Sequence, residues 1–172
     1  MEFDPVKREF TFSAKTAPRV AMSMTEADDG TIYAATYPNS AVCSYKPDTG
    51  EFRDYGPLYD QNWAQYPRDV ATDDQGWVYF GIGNTKSQII ILDPDSGEAT
   101  PVVPEEERRE GARCPVWRYK DGKVYGKNGD QWYELYEGTA TKIADEPEAE
   151  RKPYIAGSQS LFYRNFPTGQ RL

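Results

Sequence analysis

Three glycines, Gly30, Gly76 and Gly122, stand 46 residues apart twice over, and each opens the same short pattern. Asp29-Gly30-Thr31-Ile32-Tyr33, Gln75-Gly76-Trp77-Val78-Tyr79 and Asp121-Gly122-Lys123-Val124-Tyr125 each read as a polar residue, Gly, one variable residue, a β-branched residue and Tyr. Gly permits the positive φ of a tight reversal, and the β-branched residue and Tyr that follow suit a strand. A second marker follows the first two copies: Pro47-Asp48-Thr49-Gly50-Glu51 and Pro94-Asp95-Ser96-Gly97-Glu98. The third copy keeps only Glu137-Gly138-Thr139, and a half-copy, Phe3 to Phe10, opens the chain. A third marker, a Pro at a strand start, precedes each Gly turn: Pro18, Pro67 and Pro115, with Pro153 in the same role near the end. Pro suits the first residue of a strand, where its missing N–H costs no ladder bond.

These markers divide each repeat into four strands. Strand one begins at the Pro, and the Gly turn reverses it into strand two, for example Thr31 to Thr36. A loop leads to strand three, Ala41 to Tyr45, and the Asp-Thr-Gly turn reverses the chain into strand four, Glu51 to Tyr55. A four-stranded antiparallel unit recurring every 40–50 residues is the signature of β-propeller blades. The expected fold is therefore all-β, about four such blades, in one region spanning 1–172. The blades fall at about 18–59, 66–104 and 114–144, with 152–172 joined with, or continued beyond, 1–14. The chain reads as part of a larger propeller. A closed four-blade ring, its tail and head sharing one mixed blade, and a half-ring that dimerises are the alternatives. The acidic runs Pro104–Arg113 and Ala144–Lys152 lack an apolar face and read as connections.

Gly (14 residues) and Pro (13) are dense enough to interrupt long helices, which agrees with short strands and turns. The net charge of −8 repels phosphate, which argues against nucleic acid and against an anionic membrane surface. No apolar run approaches the roughly 20 residues of a membrane helix, no secretory leader is legible, and the compartment cannot be read. Cys43 and Cys114 match no metal or redox spacing; they read as small buried strand residues, and a disulfide between them stays open. The absence of His excludes His-ligated zinc and His-based triads.

The turn pattern at Asp29–Tyr33 and Gln75–Tyr79, with the turns at Pro47–Glu51 and Pro94–Glu98, resembles the bacterial propeller superfamily. That group includes virginiamycin B lyase-like, gluconolactonase-like, quinoprotein-like and oligosaccharide-lyase proteins, and the likeness covers nearly the whole chain. It implies the propeller fold and says little of activity, because propellers host many unrelated functions. The lyases of this group are expected to use His, which this chain lacks, and no quinone-cofactor site is recognisable. The expected cofactor and resident metal are none, and no catalytic residue is assigned.

In propellers, the loops between strands four and one and between strands two and three share one face, usually the ligand-binding one. Here that face would collect 37–40, 56–66, 83–87, 111–114 and 126–130. The candidate ligand-binding residues are Arg19, Tyr37, Asn39, Trp63, Tyr66, Arg68, Arg113 and Trp117. Flat aromatic rings stack on sugars, and guanidinium groups bind carboxylates in bidentate fashion. Arg19 and Arg68 each follow a strand-start Pro and are expected to point together into the channel mouth; the plainer alternative is that each pairs with a carboxylate such as Asp69. The function expected is a ligand-binding propeller directed at carbohydrate, binding an acidic oligosaccharide or cleaving it by β-elimination with a Tyr base. The alternatives are a non-enzymatic protein-interaction scaffold and a metal-dependent lactonase-like hydrolase. The expected partners are a small molecule or oligosaccharide, with self-association through open blade edges.

Overall fold

A computed structural model describes residues 1–16 and 20–153. They form three four-stranded antiparallel meanders and one two-stranded hairpin. Blade one comprises β3 (Val20–Glu26), β4 (Ile32–Tyr37), β5 (Ala41–Lys46) and β6 (Glu51–Pro57). Blade two comprises β7 (Tyr66–Thr72), β8 (Val78–Gly83), β9 (Gln88–Leu92) and β10 (Ala99–Pro101). Blade three comprises β11 (Val116–Arg118), β12 (Val124–Asn128), β13 (Gln131–Tyr136) and β14 (Thr139–Ile143). The hairpin, β1 (Glu2–Asp4) with β2 (Glu9–Phe12), is the half-copy that opens the chain. The fold is that of β-propeller blades. The acidic run after β10 forms a single 3-10 turn, Glu105–Glu107. The expected fourth blade at 152–172 lies outside the described residues except for Lys152 and Pro153.

The repeat glycines sit where the pattern places them. Gly30, Gly76 and Gly122 have φ of +82°, +94° and +91°, a left-handed conformation that a side chain would strain. These turns and the β5–β6 and β9–β10 turns lie on one face, here the lower. The β4–β5, β6–β7 and equivalent connections lie on the other, here the upper.

Burial follows from stacking the sheets face to face. Every residue of β8 and β9 is buried, because blade two is covered on both sides. Alternation divides them: Val78, Phe80, Ile82, Ile90 and Leu92 pack with Tyr33, Ala35 and Val42 of blade one. Tyr79, Ile89 and Ile91 pack with Val116, Val124, Tyr133 and Leu135 of blade three. A third cluster, Tyr119, Tyr125 and Trp132, covers the far side of blade three. On the far side of blade one, Phe12 of the hairpin stacks on Tyr45 at 4.0 Å, and Tyr45 Oη donates to Glu2 Oε2 at 2.7 Å. A bulge between the Glu2 and Phe3 pairings sets this up. The extra residue turns Phe12 inward while Phe3 and Phe10 stay exposed.

The first strands line up along the axis. Ser23 Oγ of β3 donates to Pro67 O of β7 at 2.8 Å. At the lower end of β11, the buried Arg118 ties three blades together. Its Nη1 donates to Thr72 O of blade two at 2.7 Å, and its Nη2 reaches Asp28 Oδ2 of blade one at 2.9 Å. Lys152 Nζ meets the other Asp28 oxygen at 2.6 Å. Blades two and three approach so closely that a Cβ on Gly81 would lie 1.6 Å from Cys114 O.

Two outcomes are expected from this packing. Gly81→Ala forces backbone apart and lowers stability by ~1–3 kcal/mol, read from urea unfolding. Asp28 has its pKa held below the usual carboxylate value by Lys152 and then Arg118. Its contribution is therefore present above the unfolded pKa of about 3.9 and lost as pH falls through the lower folded value. Asp28→Asn should cost about 1 kcal/mol at pH 7, discounted for its partial exposure, and the cost should fade as the solution is acidified toward the folded pKa.

Candidate functional site

The upper-face connections are stitched into one surface. Gln65 N donates to Pro38 O at 2.7 Å, and Asn39 bridges Gln65. Thr85 Oγ1 donates to Ala64 O at 2.7 Å, and Asn84 N donates to Ala112 O at 2.9 Å. Ser87 Oγ donates to Asn128 Oδ1, and Asn128 Nδ2 donates to Glu107 O. The loop segments singled out in the sequence thus meet, blade to blade.

At the seam of blades one and two, Tyr37 ends β4 and Tyr66 begins β7. Their rings lie 4.8 Å apart with planes at 32°. Arg68 stands over the Tyr66 ring, its guanidinium carbon 5.5 Å from the centroid, and its Nε donates to Asn84 Oδ1 at 3.2 Å. Arg68 occupies a bulge between the Pro67 and Asp69 pairings, which re-aims its side chain. In β3 the matching bulge falls at Met22, between Ala21 and Ser23. The equivalent of Arg68 in blade one is therefore Met22, so the shared Pro-Arg dipeptide does not mark equivalent positions. Arg19 lies outside the described residues.

Arg113 bridges Gly83, and its Nη2 donates to Asp69 Oδ2 at 2.9 Å. Burial pushes the Asp69 carboxyl above its ordinary value, against the lowering pull of Arg113 and Arg68. The carboxylate neighbour considered for Arg68 is thus ion-paired with Arg113 instead. Asn39 lies at the seam of blades one and two, where it bridges Gln65. Its Oδ1, with Ser40 Oγ and Gln65 Oε1, is buried and has no hydrogen-bond partner among the described residues. Asn39 and Ser40 are consecutive and Asn39 bridges Gln65, so the three atoms belong to one buried layer of the loops.

The other two aromatic candidates sit differently. Trp63 packs edge-on to Tyr59 at 6.0 Å, donates Nε1 to Gln61 Oε1, and leans on the blade one–two core. It anchors its own loop. Trp117 is turned to the far side of blade three, tilted against Trp132 at 5.7 Å and covered by Arg151 at 4.0 Å. The cluster that the fold assembles is Tyr37, Asn39, Tyr66, Arg68 and Arg113, with Asn84, Gln65 and Asp69 as supports. Of the supports, Gln65 carries no motif; only the parallel bridge to Asn39 reveals it.

Proton chemistry in this cluster is conservative. Hydrogen bonding to Tyr66 raises the Tyr37 pKa, so its hydroxyl keeps its proton at neutral pH. Cys43 and Cys114 are free thiols. Burial pushes them up to about 11 and about 12, which leaves them protonated and unreactive near neutrality. Among the described residues, no three His, Cys, Asp or Glu side chains come together to hold a metal ion. No helix among them is long and apolar enough to cross a membrane.

Neither a protein-family profile nor a curated protein matches this sequence. The fold is similar to solved propellers at low identity. A streptogramin B lyase structure superimposes with a TM-score of 0.57 at 15% identity, over 83% of this chain and 46% of that one. A catalytically inactive virginiamycin B lyase from Staphylococcus aureus with quinupristin gives 0.55 at 16%, over 79% and 45%. The extracellular domain of a one-component system from B. thetaiotaomicron gives 0.55 at 16%, over 93% and 20%. The chain spans less than half the length of each. At these identities the likeness establishes the β-propeller fold, and function must be argued from the site.

Asp69 supplies a test of the site's electrostatics. A folded pKa above the unfolded one gives a contribution present below about pH 3.9 that is lost as pH rises through the folded value. Asp69→Asn should therefore leave the melting temperature at pH 7 equal to or above that of the parent, and the two should converge near pH 3.5. A drop at pH 7 would mean that the Arg113 pair outweighs the desolvation.

Proposed function

We propose that this chain is a ligand-binding propeller whose upper face takes an acidic oligosaccharide at the seam of blades one and two. The observation that carries the reading is the stack of Arg68 over Tyr66 beside Tyr37, with Asn84 fixing the guanidinium through Nε. The half-buried Tyr37 and Tyr66 rings present aromatic surface beside the guanidinium, which is held at one nitrogen and keeps its fork for a carboxylate. Binding is favoured over β-elimination because the Tyr37 hydroxyl holds its proton more tightly than a free tyrosine, the reverse of what a general base needs. A protein-interaction scaffold remains the second reading, on the exposed Phe3 and Phe10 of the hairpin.

Isothermal titration with oligogalacturonates is the direct test. Arg68→Ala combined with Trp63→Ala should weaken binding at least tenfold, Arg68 through the carboxylate and Trp63 through the loop that carries Gln65. Arg68→Lys should recover only part, because an ammonium lacks the planar fork. Unchanged affinity in the double variant would sink the site assignment.

A further inference from the structure

All three blades carry the same tyrosine near the start of the second strand, Tyr33, Tyr79 and Tyr125, on the lower face. The surroundings of its hydroxyl differ between seams. Tyr79 Oη donates to Asp73 Oδ2 at 2.8 Å and accepts from Gly138 N at 3.1 Å. Asp73 Oδ2 also accepts from Glu137 N of blade three at 2.9 Å. Trp77 lies against Gly138 so tightly that a Cβ there would come within 2.5 Å of the indole. A carboxylate and an indole thereby plug the lower seam between blades two and three. Tyr125 Oη is likewise held by its own turn, donating to Asp121 Oδ2 at 2.8 Å.

At the seam between blades one and two, the repeat substitutes both plugging residues. Ala27 stands where blade two has Asp73, and Thr31 stands where it has Trp77. Asp29, the nearest turn carboxylate, is engaged elsewhere, accepting from Thr31 N, Thr31 Oγ1 and Lys46 Nζ. The facing turn of blade two is held from the outer strand instead. Arg53 Nη1 donates to Pro94 O at 2.5 Å and to Asp95 O at 3.1 Å, and Tyr55 Oη donates to Pro94 O at 3.2 Å. What opens between the inner strands and this outer strut is a groove of about 430 Å³, lined by Tyr33, Tyr55, Lys46, Arg53, Asp29 and Asp95 among others.

We propose that this lower groove is a second binding site, for a small neutral polyhydroxyl ligand of mono- or disaccharide size. The volume lies in the range of small-molecule sites, roughly 300–1,000 Å³. The lining supplies hydroxyl, ammonium and guanidinium donors beside carboxylate acceptors. Neutrality follows from the pairing already present. Lys46 is committed to Asp29, and Asp29, Glu51, Asp93 and Asp95 outnumber Lys46 and Arg53 along the lining, so an anion is repelled and a cation would have to compete with Lys46. A hydroxyl can donate to one member of a pair and accept from the other. The site is separate from the upper-face cluster, and its ligand differs from the acidic one proposed there.

The test is saturation-transfer NMR on the whole chain with millimolar maltose, cellobiose and xylobiose. Thr31→Trp restores the indole that plugs the neighbouring seam, and Tyr33→Phe removes the groove hydroxyl with little change of shape. At least one disaccharide should give transfer to the parent protein, and the signal should vanish in Thr31→Trp, fall at least threefold in Tyr33→Phe and persist in Arg68→Ala. The proposal is overturned if none of the three sugars shows transfer, or if transfer survives in Tyr33→Phe and in a Thr31→Trp protein that melts cooperatively. Loss in Arg68→Ala with retention in Tyr33→Phe would also overturn it, by placing neutral sugars on the upper face.

Discussion

Three blades meet at one guanidinium. Arg118 is buried near the axis, and its nitrogens reach a carbonyl of blade two and a carboxylate of blade one, with Lys152 completing the carboxylate's coordination. A buried guanidinium is tolerable only when its donors are met and its charge is balanced. Those conditions tie the blades together at one point, because Thr72, Asp28 and Arg118 belong to different blades. The apolar seams then pack within that geometry. Hydrophobic area supplies most of the cohesion, but it is indifferent to direction; the hub is directional.

Within that frame the repeats are alike in backbone and unlike in chemistry. The seam of blades two and three is closed on its lower side by Asp73, Trp77 and the short Glu137–Gly138 turn. The seam of blades one and two differs from it on both sides. Above, it carries the Tyr37–Tyr66–Arg68 stack and three unpaired oxygens; below, it carries the Arg53 strut and the groove behind it. The repeats thus depart from one another at a junction between blades rather than through a motif within one of them.

The blades were legible from the sequence because their turns need particular residues. Gly30, Gly76 and Gly122 supply a backbone conformation that other residues resist, so their spacing announces the architecture, and the strand limits read from them agree with the structure to within two residues at β4, β5 and β6. The site was legible only in part. Loop segments could be assigned to a common face from topology, which brought Tyr37, Tyr66 and Arg68 under consideration. Side-chain direction was not available: the bulge at Arg68 breaks the equivalence suggested by Pro18-Arg19 and Pro67-Arg68, and Trp117 turns to the far side of blade three. The Arg118–Asp28 contact spans 90 residues and leaves no local trace at either end. The lower groove arises from what Ala27 and Thr31 are not, which becomes visible only when the seams are compared in three dimensions.

The Lys152–Asp28 contact also bears on the order in which the chain can fold. Its partners are 124 residues apart, and the Arg118–Asp28 pair spans 90. Each blade is a meander of local hairpins whose strand pairing is short-range, while its apolar faces are covered only by its neighbours. A contact enclosing all three carries a large loop-closure entropy until the intervening blades have stacked. Blade formation should therefore precede these charge pairs, and the ordering of Asp28 becomes a late event that reports a completed stack. In a protein built of similar meanders, a late contact of this kind reports the native stack, in which residues 28, 72, 118 and 152 come to the same point.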